Sequence, residues 1–339
     1  MFGRIGLYLI PVLLPVALVL ALPLSAHASK LETISFNAAD FTEALQGGDV
    51  VPAVVKAQVL LDRVNISSGE IDGKPSPRLD AAIAAFAEIH NLPADTGWSR
   101  RFWDELTAEA IVPVLTEYVI TGDDLKGPFV QLPARMEDMQ SFKTLGYASI
   151  REALAEKFHM SVELLDRLNP DAAFSEAGEE IIVANVLGET RSQSAARIDV
   201  DKDRQTVKVY SARNELIAFF PASVGSGDKP TPSGTLKVTA FNSEPIFSYN
   251  PKYQFREVDT QKPFSLQPGP NNPLGLMWIA LSKPSYGIHG TPEPSEVGSV
   301  ASHGCVRLTN WDVQRLSAML TRGVPVNFIE KPDVKFVAY

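Results

Sequence analysis

The chain has 339 residues and a single cysteine, Cys305. One thiol excludes an intramolecular disulfide, an iron–sulfur cluster and any zinc site built from several cysteines. Histidine is scarce too, with 5 in the whole chain. Basic residues are outnumbered: 31 Lys and Arg stand against 40 Asp and Glu, a formal net charge of -9. An acidic chain without a long Lys/Arg run offers no electrostatic footprint for nucleic acid. No internal repeat or low-complexity segment stands out. What remains is 45% hydrophobic and 21% charged, the composition of a folded chain. Its length suits roughly two or three domains.

The N-terminus carries one charge, Arg4, and then an apolar stretch over residues 5–24. Ala26-His27-Ala28 follows, an A-x-A pattern that suits signal peptidase. The expectation is a signal peptide over residues 1–28 and an exported mature chain beginning at Ser29. The alternative is an uncleaved anchor, because about 20 apolar residues can span a bilayer. Pro11, Pro15 and Pro23 interrupt that stretch. Exported compartments oxidise thiols, so a lone spare cysteine there is a hazard.

Residues 29–53 read as a flexible segment, and three units follow. Over 54–107 the spacing predicts a small helical module. Val55, Val59 and Leu60 share one face, Ser76-Pro77 reads as an N-cap with proline at the first helical position, and Phe102, Trp103 and Leu106 close a third helix. This stretch resembles the peptidoglycan-binding domain family on Gln58-Val59-Leu60-Leu61, Gly69-Glu70-Ile71-Asp72-Gly73, residues 82–90 and Trp103. Ala87 departs from that family's usual Gln.

Over 142–186 the pattern predicts strand, two helices, strand. Ser149-x-x-Glu152 is a capping box, Ser161 starts the second helix, and Asn169-Pro170 stops it. Leu168-Asn169-Pro170 with Gly178 and Ile181 resembles the LysM glycan-binding module, without its usual Gly-Asp-Thr start. Residues 187–196 read as a linker. Over 197–330 short β-rich runs between Gly- and Pro-rich turns predict a mostly-β, sandwich- or barrel-like domain. One helix is expected there, over 310–321, capped by Gly323. The fold class is therefore α+β and multidomain.

Chemistry concentrates at His289, His303 and Cys305. Two of the 5 histidines fall close to the only thiol. A thiolate is the nucleophile, and an imidazole within hydrogen-bond reach generates it. Gly304 lets an acyl substrate approach the backbone, and N–H groups around Gly304 and Cys305 could hold an oxyanion. A His2Cys zinc site would be cramped and lacks an evident fourth ligand. A buried structural thiol with two core histidines is the remaining alternative.

His289-Gly290-Thr291 with Ser302-His303-Gly304-Cys305-Val306-Arg307-Leu308 resembles the signature of the L,D-transpeptidase (YkuD) family. Val224-Gly225 and Thr231-Pro232-Ser233-Gly234-Thr235 extend the likeness upstream. The resemblance implies a periplasmic enzyme. In it Cys305 acylates on meso-diaminopimelate of a peptidoglycan stem, D-Ala leaves, and a second stem amine forms a 3→3 crosslink. It implies His289 as base, the Gly290 carbonyl as orienter of an imidazole, His303 beside the thiol, Ser302 fixing the loop, and Arg307 gripping a substrate carboxylate or forming a structural salt bridge. It also implies inactivation by carbapenems and no metal or organic cofactor. A protein of the outer membrane, or water, could replace the stem amine. The implied partners are peptidoglycan stems and glycan, with membrane contact only through an uncleaved signal segment. Two other classes stay open: a non-catalytic wall-binding scaffold, and a papain-like protease, whose Cys-before-His order is the reverse of this one.

Overall fold

The computed structural model describes residues 33–43, 45, 49–108, 110–186, 193–225, 231–253, 258–300 and 304–330. The expected export segment, Ser302 and His303 lie outside the described residues.

Among the described residues the first unit holds α1 (Pro52–Arg63), α2 (Pro77–Ile89) and α3 (Arg100–Thr107). Residues 33–37, within the segment 29–53 expected to be flexible, are helical too, and Phe36 is buried in the same core. Pro52 and Pro77 occupy first-turn positions, where a missing N–H costs nothing. Ser76 and Ser99 accept from the N–H of Leu79 and Phe102, satisfying helix-end donors. Gln58, buried on α1, ties the turn at 69–73. Its Oε1 accepts from Gly73 N at 2.8 Å, and its Nε2 donates to Asp72 at 2.9 Å.

The second unit is β1 (Leu115–Val119), α4 (Ile150–Lys157), α5 (Val162–Leu168) and β2 (Glu180–Ala184). Strand–helix–helix–strand is the order expected, but its opening strand is not within 142–186. β1 pairs antiparallel with β2, Leu115 opposite Ala184, from a position before residue 120. About 30 residues separate it from the helices, which hid the pairing from a short-range pattern. Ser149 and Ser161 cap the two helices. Asn169 ends the second, bonding Leu165 O and both backbone groups of Ile182.

The third unit is an 8-stranded mixed sheet with one helix. Its strands are β3 (Arg197–Asp201), β4 (Thr206–Tyr210), β5 (Leu216–Pro221), β6 (Gly234–Asn242), β9 (Trp278–Leu281), β10 (Gly287–His289), β11 (Val306–Arg307) and β12 (Pro325–Ile329). β7 (Phe247–Tyr249) and β8 (Phe264–Leu266) form a separate hairpin. The sheet order is β11-β10-β9-β6-β12-β3-β4-β5. Its two ends meet: Ser223 N donates to Arg307 O at 2.8 Å, and Arg307 N to Ser223 O at 2.9 Å. The sheet thus closes on itself in barrel-like fashion, which removes most of two exposed edges. The helix, α6 (Asn310–Met319), is capped by Thr309 and buries Val313, Leu316 and Met319 in the barrel core. It ends before Gly323, whose N–H instead bonds Val238 O in the turn before β12. Gly323 therefore shapes that turn, at φ +93, and is not the helix cap.

The first two units share one core, which reaches β5, while the barrel has a core of its own. Phe219 and Leu216 of β5 pack with the helical residues, and Ile66 bridges Phe219 along the strand. Burying a side chain of this size contributes about 1.5–3 kcal/mol. The hairpin packs with Leu132, Met136, Met139, Phe142 and Leu145 from the segment between β1 and α4.

Candidate active site

β10 and β11 run parallel, with Ile288 opposite Val306 and His289 opposite Arg307. Side chains alternate across a strand. Ile288 and Val306 enter the core, fully buried. His289, Cys305 and Arg307 take the opposite face and line a cavity of about 530 Å³. The two residues expected to carry the chemistry, one ending β10 and the other directly before β11, thus open into the same space. Gly304 sits at φ +102, a conformation that favours glycine, immediately before the thiol. Cys305 is half-buried, with Sγ 3.8 Å from the carbonyl of Ser285.

His289 is buried, and its Nδ1 lies 2.7 Å from the carbonyl oxygen of Gly290. A carbonyl only accepts, so Nδ1 carries the proton and Nε2 is the basic nitrogen. Burial holds the imidazole down at about 4; the Gly290 bond pulls the other way, and Arg307 adds to the depression. The ring is therefore neutral near pH 7, the state a general base requires. Trp278, opposite His289 across β9–β10, stacks on it with ring centroids 5.7 Å apart and planes 22° from parallel. Gly287 makes room for that stack: a Cβ there would fall 2.6 Å from the indole.

Of the two uses weighed from sequence, the structure holds Arg307 in an ion pair. It lines the cavity, and its guanidinium lies 3.6 Å from Glu296. Glu293 also faces the cavity, its carboxyl pushed up by burial and by Glu296. The far wall is apolar: Ala134, Met136 and Met139 from the upstream unit, and Phe247 from the hairpin. Arg78 of α2 donates to the carbonyls of Ser295 and Val297, tying the 293–298 loop to the helical unit. Among the described residues no three His, Cys, Asp or Glu side chains converge as a metal site.

Sequence reasoning missed Trp278, Glu293, Glu296, Met136 and Met139. It also took Asn310 as a helix start alone. Asn310 is fully buried behind Gly290, and its position directly after the 302–309 block was the available signal.

A family model described as the L,D-transpeptidase catalytic domain, YkuD, matches residues 195–328. Those residues are an L,D-transpeptidase catalytic domain. The family is one of cysteine-dependent transpeptidases. The YkuD protein of Bacillus licheniformis, named as an L,D-transpeptidase, is 29% identical over 178 residues, 52% of this chain and 91% of its own length. YbiS of Escherichia coli K12, also named as an L,D-transpeptidase, is 27% identical over 53% of this chain. The match spans 60% of that protein. Among solved structures, L,D-transpeptidase 3 of Mycobacterium tuberculosis is 19% identical over 40% of this chain and 61% of its own length, with a TM-score of 0.34. The family match does not extend to the two upstream units.

Proposed function

We propose that the protein is an exported peptidoglycan transpeptidase that forms 3→3 crosslinks through a Cys305 thioester. The observation that carries this reading is His289, its Nδ1 engaged by the Gly290 carbonyl, sharing one cavity face with Cys305. In the first half-reaction His289 Nε2 takes the thiol proton and Sγ attacks the carbonyl of the L-centre of meso-diaminopimelate. The oxyanion is met by N–H groups around Gly304 and Cys305. The carbon–nitrogen bond to D-Ala breaks, and His289 returns the proton to the leaving amine. In the second, a stem amine attacks the thioester, His289 takes its proton, and the amide forms as the thiol is released. Arg307 holds a substrate carboxylate, and Ser302 and His303 keep the roles that the family resemblance implies for them. Carbapenems, as strained acyl donors, acylate the same thiol.

The upstream units are read as a peptidoglycan-binding-like module over 54–107 and a LysM-like module. They would hold the chain on the wall after export to the periplasm, directed by the segment 1–28. The strand order β1-α4-α5-β2 supports the LysM likeness.

The test is direct. Purified mature protein is mixed with disaccharide-tetrapeptide and the products are followed by mass spectrometry. Crosslinked dimer plus free D-Ala is the expected result. Tripeptide alone identifies water as acceptor. Crosslinking only to an added protein amine identifies an anchoring enzyme. Full activity in Cys305→Ala overturns the mechanism.

A further inference from the structure

Glu156 belongs to α4, outside the transpeptidase domain, yet it reaches that domain's Asn310 across 154 residues of sequence. The Asn310 amide Nδ2 donates to Glu156 Oε2 at 3.0 Å and Oε1 at 3.2 Å, and to the Pro270 carbonyl at 3.2 Å. Its other end, Oδ1, accepts from Leu276 N at 2.9 Å. That oxygen is wedged between two glycines. A Cβ on Gly275 would lie 2.0 Å from it, and one on Gly290 2.1 Å. Gly275 and Gly290 also touch each other: a Cβ on Gly275 would fall 2.6 Å from the Gly290 carbonyl carbon. Gly290 is the residue whose carbonyl receives His289 Nδ1.

A side-chain amide has one accepting end and one donating end of nearly equal shape. Something must select which end faces the glycines. Burial pushes the Glu156 carboxyl up to about 7, and the Tyr147 and Asn310 donors pull the other way. As the carboxylate, present above that value, it only accepts, and together with the Leu276 N–H and the Pro270 carbonyl it turns Nδ2 toward itself and Oδ1 toward Leu276 and the glycines. Tyr147 holds the carboxylate in turn, donating its hydroxyl to Oε1 at 2.7 Å. Remove the carboxylate and the amide loses its strongest orienting partner. A flipped amide would set an NH2 against Leu276 N–H and push the Gly290 backbone away.

We propose that Glu156 is a positioning residue for the transpeptidase site: through Asn310 it fixes the Gly290 carbonyl, and through that carbonyl the plane and tautomer of His289. The upstream unit is then part of the reaction apparatus and more than a tether to the wall. This rests on the assignment of His289 as base.

The experiment uses the full mature chain in four variants: Glu156→Leu, Glu156→Gln, Asn310→Asp, and the double Asn310→Asp with Glu156→Gln. Each is checked for folding by circular dichroism. Turnover of disaccharide-tetrapeptide gives kcat and KM separately, and nitrogen-15 NMR of the imidazoles reports which His289 nitrogen is protonated. Glu156→Leu should lower kcat about tenfold or more with KM little changed, the signature of a misplaced group. Its His289 signal should shift to mixed tautomers. Glu156→Gln keeps an acceptor and should remain within about threefold. Asn310→Asp sets two carboxylates face to face and should lose activity. The double variant restores a donor–acceptor pair in reverse and should recover most of it. A folded Glu156→Leu with unchanged kcat and an unchanged tautomer overturns the proposal. So does a loss of kcat in which the tautomer stays fixed, because that is an ordinary packing defect. Should Glu156→Leu not fold, the recovery of the double variant over Asn310→Asp decides. Full activity in Cys305→Ala would instead overturn the assignment of the site, leaving the tautomer result to stand by itself.

Discussion

Arg315 places its Nη2 2.9 Å from Asp62 Oδ1, joining α6 of the transpeptidase domain to α1 of the helical unit across 253 residues. His159 of the middle unit completes the contact, its Nδ1 3.0 Å from Asp62 Oδ2, and its ring stacks on Trp311. All three units therefore meet on one buried carboxylate. Burial would raise the Asp62 carboxyl, but His159 and Arg315 outweigh it and hold it well below the usual range. A lowered folded-state value means stability that is present above the unfolded value near 4 and is lost as pH falls. Asp62→Asn should cost about 3–5 kcal/mol, because a buried guanidinium loses its partner. Denaturant melts from pH 7 down to pH 3 should show a shallower acid limb in the variant than in the parent.

Asp312 has the opposite sign. Ser67 donates to its Oδ2 at 2.8 Å, but Oδ1 has no hydrogen-bond partner among the described residues. Burial pushes its carboxyl up to about 6. A raised folded-state value favours the folded chain below the unfolded value and works against it as pH rises from about 4 to 6. Asp312→Asn keeps an acceptor for Ser67 and removes the buried charge. The variant should gain up to about 3 kcal/mol on its parent between pH 4 and pH 8, read as the difference between the two stability curves. A difference that stays flat across that range refutes it.

The His289 value of about 4 sets the acid limit of catalysis. Acylation of Cys305 should fall off with a midpoint near pH 4, well under the ordinary imidazole value near 6.5. His289→Gln should slow acylation about 10²–10⁴-fold. Stopped-flow acylation by a carbapenem, followed from pH 3 to 8, reads both.

Gly287→Ala places a methyl 2.6 Å from the Trp278 ring. The indole must move off His289. Overpacking of this kind costs about 1–3 kcal/mol, and the unstacked imidazole should lower kcat by more than it changes KM. A Trp278→Phe variant, which keeps a ring against His289, should lose less.

A fragment of residues 193–330 would expose Leu216, Phe219 and the Arg315 that Asp62 neutralises. It would also lack Glu156. We expect it to melt well below the full chain and to turn over more slowly even where it is folded. Equal kcat in fragment and full chain contradicts this.

Local signals in the sequence were reliable where a single residue type has one physical use. Ser76, Ser149 and Ser161 cap the helices that they were expected to cap, and Asn169 ends its helix. The likeness of the 289–308 block to the transpeptidase family was legible, and the structure adds the parallel register that turns His289 and Cys305 to one face. What stayed hidden depended on distance along the chain. β1 finds β2 only after the 120–149 segment is folded aside. Met136 and Met139 look like an ordinary short apolar pattern until the hairpin closes against them. Glu156 and Asn310 carry no motif at all, because their meaning lies in a contact between units.

The paired hydrogen bonds between Ser223 and Arg307 have a consequence for how the molecule opens. The nucleophile's strand is pinned by β10 on one side and by this seam on the other. It cannot peel off as a free edge would. Amide protons at Ser223, Arg307 and Leu308 should therefore exchange with solvent only when the whole barrel comes apart, at the slowest rates in the protein. The bed beneath Cys305 is among the last parts of the chain to breathe.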